Sequence, residues 1–107
     1  MPAYFIADVD VLDPQAFERY RTAAAASVAQ YGGKYVVRGG APEVIEGDWR
    51  PHGLIALEFE SADAIKRWYE SPEYRAAKQL RERSAKMNAV LAQGVELMTG
   101  YERAREG

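Results

Sequence analysis

Cysteine is absent from the chain, and histidine occurs once, at His52. The first absence excludes disulfides, thiolate metal sites and thiol nucleophiles. The second leaves any transition-metal site to scattered carboxylates, a poor ligand set, so no metal and no cofactor is expected. A basic stripe is also missing. Lys and Arg number 14 against 16 Asp and Glu, interspersed, for a net charge of −2. Nothing in that pattern would neutralise a row of phosphates, which argues against nucleic acid as a partner. No segment reaches the roughly 20 consecutive apolar residues of a membrane span, so no membrane partner is expected. The opening residues, Met-Pro-Ala-Tyr-Phe-Ile, enter an alternating pattern without a basic n-region. No secretory leader is read there, and a cytoplasmic protein is the expectation.

What remains is an ordinary globular balance, 48% hydrophobic and 28% charged over 107 residues. That suits a single domain over 1–107 and leaves no room for a second. Residues 98–107, "MTGYERAREG", read as a polar, frayed tail.

Periodicity supplies the elements. In "AYFIADVDV" Phe5, Ala7, Val9 and Val11 share one face, and Tyr4, Ile6, Asp8 and Asp10 the other, a half-buried strand. Asp13 and Pro14 open a helix, and Phe17, Tyr20, Ala24, Val28 and Tyr31 form its apolar stripe. Gly32-Gly33 stops it. "KYVVR" is the second strand. It breaks at Gly39-Gly40, and "EVIEG" is expected to resume it after a bulge. "LIALEFE" alternates as the third strand, with Ile55, Leu57 and Phe59 on one face. Ser61 caps a second helix, and Ser71-Pro72 restarts it toward Arg83. "KMNAVLAQGVE" is the last strand.

This order predicts an α+β fold, the ferredoxin-like βαββαβ subunit: a four-stranded antiparallel sheet with its helices on one face. The first strand lies centrally beside the third, which neighbours the second. The other sheet face carries Tyr4, Ile6, Leu54 and Ala56. Strands about 4.8 Å apart and about 20 Å long would expose roughly 400 Å² there. A patch of that size calls for cover, and a second copy of the chain in two-fold symmetry is the simplest. A homodimer is therefore expected.

The stretches "YGGKYVVRGG", "IEGDW", "FESADAIKRWYESPEYRAA" and "QGVE" together resemble domain-of-unknown-function family 1330, over nearly the whole chain to about Glu96. The resemblance implies the dimeric α+β barrel, in which two ferredoxin-like subunits pack sheet to sheet. That group includes cofactor-free monooxygenases, muconolactone isomerase and chlorite-dismutase-like haem proteins. The family brings no established activity with it. One departure stands out: after "W-x-P" the family usually has arginine, where this chain has His52.

Candidate functional residues fall into three sets. Gly39-Gly40 leads to Pro42 and a strand, so no helix N-terminus faces it, and a bend fits better than a phosphate cradle. Arg38, at the end of "KYVVR", is expected on the mixed face with Asp8 and Glu58, where the three would form a buried ionic cluster that sets dimer register. The rival reading turns Arg38 into a ligand cleft, where it meets an anion while Trp49, Trp68 and Tyr74 take rings or chains. His52 is the one side chain whose ordinary pKa lies near neutrality, a candidate general base at a cleft mouth or an exposed turn residue. Three functions follow. The first is a binding module for a small, partly apolar organic molecule, anions included. The second is a cofactor-independent monooxygenase or isomerase. The third is a structural dimer without a ligand.

Overall fold

The structure is a computed structural model and describes residues 1–95; the expected polar tail lies outside them. Strand β1 (Ala3–Val11) leads to helix α1 (Pro14–Gln30), then β2 (Lys34–Arg38) and β3 (Leu54–Phe59). Helices α2 (Ala62–Tyr69) and α3 (Pro72–Arg81) precede β4 (Ala85–Gln93). The sheet order is β2-β3-β1-β4 with every neighbouring pair antiparallel, the ferredoxin-like arrangement with the first strand central. Among the described residues no helix is long and apolar enough to cross a membrane.

Local chemistry sets the element ends. The Asp13 carboxylate accepts from the Ala16 N–H at 3.1 Å, Ser61 from Ala64 at 3.1 Å and Ser71 from Tyr74 at 3.1 Å. Each satisfies an orphan donor of its helix's first turn. Gly32 takes a left-handed φ of 82° at the end of α1. Gly33 is small for a different reason. A Cβ there would stand 2.4 Å from Cζ of the Phe59 ring, which lies over the backbone.

The core centres on Trp68, which is 1% exposed. Its ring meets Phe5 edge-on at 5.1 Å, and tilts against Phe59 at 5.4 Å and Tyr74 at 4.4 Å. Its indole N–H donates to Ser27 Oγ at 3.0 Å, which in turn donates to the Ala24 carbonyl at 2.8 Å. The one polar atom of the ring is thereby satisfied in an otherwise apolar centre.

Three expectations are corrected. Residues 39–53 contain no strand, and Ile45 is 87% exposed. The β2–β3 ladder closes where the Gly39 N–H reaches the Leu54 carbonyl at 3.0 Å, and the other edge of β3 is already taken by β1. Helix α3 stops at Arg81, not Arg83, as the Ser84 N–H turns back to the Arg81 carbonyl. The bulge in β2 falls at Val36 and not at the glycines: Tyr35 pairs with Leu57 and Val37 with Ala56, the very next residue of β3.

That bulge reverses the alternation of everything after it. Arg38 pairs with Ile55 and so joins Tyr35 on the helix side of the sheet. Val37 goes to the open side instead. There it heads a row of cross-strand partners, Val37–Ala56–Ile6–Val90, that spans all four strands.

Candidate functional site

Helix α1 packs chiefly against α3. Where it passes over the β2–β3 half of the sheet, its alanine run presents only Ala24 and Ala25. They share the lining of a gap with Tyr35, Ile55 and Leu57, and with Phe5, Ala7 and Val9 of β1. A cavity of about 230 Å³ results between helix and sheet. Its interior is apolar, with Phe17, Val28, Ile55, Leu57 and Met87 among its walls.

The polar side chains among its lining residues are two cations, Arg21 and Arg38, and three hydroxyl residues, Thr22, Tyr20 and Tyr35, of which Thr22 already donates to the Glu18 carbonyl at 3.1 Å. Among the described residues, none that lines it carries a carboxylate or an imidazole. Arg21 is paired with Glu18 at 3.1 Å on the surface. Arg38 is exposed and has no ion-pair partner among the described residues; its guanidinium lies 4.2 Å over the Tyr35 ring. Burial raises the Tyr35 and Tyr20 hydroxyls above the ordinary phenol range, against the pull of neighbouring arginines, so both remain protonated donors near neutral pH.

The residues singled out by sequence are divided by the sheet. Arg38 and Trp68 line the cavity. Tyr74 is wholly buried behind it, its hydroxyl 2.9 Å from that of Tyr20 and accepting from Arg81 at 3.1 Å. Trp49 is 61% exposed and borders a shallow groove on the opposite, open face with Ile6 and Val90.

His52 also lies off the cavity. Its ring stands 3.7 Å from both the Asp8 and the Asp10 carboxylates, while its backbone N–H donates to Asp8 Oδ1 at 2.8 Å. Gly53 N–H adds a second bond to the same oxygen at 3.2 Å. Partial burial pushes the Asp8 carboxyl up, yet the two backbone donors and the His52 ring together hold it below its ordinary value.

The expected cluster of Asp8, Arg38 and Glu58 is not assembled within the subunit. Glu58 accepts from the Tyr4 hydroxyl at 2.9 Å and pairs with Lys34 at 3.2 Å. Asp8 holds the 52–53 turn. Arg38 is on the other side of the sheet because of the bulge. Sequence reasoning missed Tyr35 and the alanine wall. The run Ala23–Ala26, four small residues in a helix otherwise lined with rings, is the signal that could have marked the gap.

A family model described as "Domain of unknown function (DUF1330)" matches residues 2–95. The chain belongs to this family. The DUF1330 match takes in all four strands and all three helices. No curated protein matches the chain. Among solved structures, a protein of unknown function from Rhodopseudomonas palustris is similar with a TM-score of 0.69 at 19% identity, covering 89% of this chain and 83% of that one. A dimeric ferredoxin-like protein of unknown function from Jannaschia sp. CCS1 gives 0.64 at 14%, over 88% and 100% of the two chains. SnoaB, a cofactor-independent oxygenase from Streptomyces nogalater, gives 0.62 at 16%, over 91% and 96%. At such identities the likeness to this DUF1330 member is one of fold.

Proposed function

We propose that this protein binds a small, partly apolar organic anion in the cavity between α1 and the sheet. The observation that carries this reading is the one-sided lining: an apolar interior, two guanidinium groups, and no carboxylate or imidazole among the described lining residues. Apolar walls with a few convergent polar groups are the usual form of a small-molecule site. A guanidinium without a carboxylate partner is the group that takes a carboxylate in two parallel hydrogen bonds. Arg38 fills that role.

The subunit is further proposed to pair with a second copy through its open sheet face. Ile6, Val37 and Val90 are 36%, 45% and 61% exposed there. The likeness to a dimeric ferredoxin-like structure supports the same pairing.

A cofactor-independent oxygenase or isomerase working in the same cavity is the second reading, favoured by the fold shared with SnoaB. In that case the reacting proton must leave without help from His52, which lies on the other side of the sheet. The binding reading is tested by calorimetric titration of the full chain with benzoate, benzamide and benzylamine. It expects affinity for the carboxylate alone, and equal binding of the neutral amide would remove the anion from the account.

A further inference from the structure

Behind the cavity wall, two hydroxyls and a guanidinium have one proton too many. Arg81 Nη1 donates to the Tyr74 hydroxyl at 3.1 Å, and the Tyr74 and Tyr20 hydroxyls lie 2.9 Å apart. Each hydroxyl brings one proton. One of the two is spent between the oxygens. The other meets no acceptor among the described residues.

Arg81 decides which proton is free. Its charge draws density from the Tyr74 oxygen, making that hydroxyl a better donor and a poorer acceptor. Tyr74 then donates to Tyr20, and the Tyr20 proton is left over. Tyr74 is 0% exposed, whereas Tyr20 forms part of the cavity wall. Arg81 itself is half-buried with no ion-pair partner among the described residues, and its guanidinium stands 5.8 Å over the Tyr20 ring. Its other contact is Met87 Sδ at 3.7 Å, and Met87 also lines the cavity. The Tyr20 side of the cavity therefore has a cation close behind it and a hydroxyl whose proton is left uncommitted by this pairing.

Volume limits what can bridge Arg38 and this wall. An apolar cavity of about 150 Å³ accommodates benzene. By that example the cavity here, about 230 Å³, suits one ring with its substituents, and a fused pair carrying a carboxylate would be more crowded. Tyr20, Tyr35, Phe17 and Trp68 supply ring surfaces suited to offset or edge-on contact with an aromatic guest.

We infer that the Tyr20 hydroxyl is a second anchor, and that the cavity takes a single-ring aromatic acid whose carboxylate meets Arg38 and whose ring bears another oxygen acceptor for Tyr20. This inference rests on the anion-site reading and narrows it to a ligand class.

The experiment is calorimetric titration of the full chain with benzoate, its three hydroxy isomers and 2-naphthoate, repeated on Tyr20→Phe and Arg81→Met. One hydroxybenzoate isomer should bind about tenfold more tightly than benzoate, the value of one good hydrogen bond. Tyr20→Phe, which keeps the ring, should erase that advantage. Arg81→Met, which keeps Tyr20 in place, should shrink it. If benzoate binds the parent but no isomer exceeds it, or the advantage survives Tyr20→Phe, the second anchor is wrong and the anion site stands. Naphthoate binding as tightly as benzoate would overturn the one-ring limit. No binding of any of these acids would overturn the anion site as well. The comparison on the parent alone decides the matter should either variant fail to fold.

Discussion

The Arg38 guanidinium lies 4.2 Å over the ring of Tyr35, three residues earlier on the same strand. In a regular strand an odd spacing would place the two on opposite faces. The extra residue at Val36 brings them together on the helix side. An exposed cation–π contact contributes about 0.5–1 kcal/mol. Here it holds a charged group at the cavity without neutralising it. Tyr35→Leu should therefore weaken benzoate binding about two- to fivefold in calorimetry, with the melting curve little changed. Unchanged affinity would mean that Arg38 needs no such support.

Gly33→Ala should destabilise the protein by about 1–3 kcal/mol, the cost of forcing a buried group aside. The added methyl would meet the Phe59 ring at 2.4 Å, and that ring is 1% exposed, with nowhere to move. Urea denaturation measures this directly. A loss of a few tenths would show that the ring yields.

Most of this architecture was readable before any coordinates. Phe5, Ala7 and Val9 are buried as alternation demands, and Asp13, Ser61 and Ser71 cap the helices they precede. These signals are local, and local chemistry decides them. The bulge is different. Val36 and Val37 are equally good strand residues, so neither marks where the ladder slips. The slip depends on the pairing with β3, which brings Tyr35 opposite Leu57 and Val37 opposite Ala56. One unmarked residue moved Arg38 across the sheet and undid its expected pairing with Asp8 and Glu58. Trp49 and His52 sit in an irregular segment whose path no periodicity describes.

Acid should loosen the 52–53 turn through Asp8. Its folded pKa is held below the ordinary value, so its contribution is complete at neutral pH and is lost as pH falls through the folded pKa. Asp8→Asn removes that titration. Its melting temperature should decline less steeply between pH 5 and roughly pH 3 than the parent's. Parallel acid limbs for the two proteins would show that Asp8 does not couple to folding.

The open sheet face can be tested without touching the cavity. Val90 lies across from Ile6 on the outer strand β4 and is 61% exposed. Val90→Asp should leave the subunit folded, because the side chain stays in water. Its charge would be buried without a partner in a sheet-to-sheet pair. Light scattering should report two chains for the parent and one for the variant. A parent that is monomeric at micromolar concentration would end the dimer proposal.

The most direct test of the anion site is calorimetric titration of benzoate into the parent, Arg38→Met and His52→Gln, each with a denaturation curve beside it. Arg38 is exposed and has no ion-pair partner among the described residues, so its loss should change stability by less than about 1 kcal/mol. Affinity should nevertheless fall tenfold or more, roughly the worth of a charge-assisted hydrogen bond. His52→Gln should bind as the parent does, since its ring faces Asp8 and Asp10 across the sheet from the cavity. Equal affinity of parent and Arg38→Met, or loss of binding in His52→Gln alone, would contradict the account.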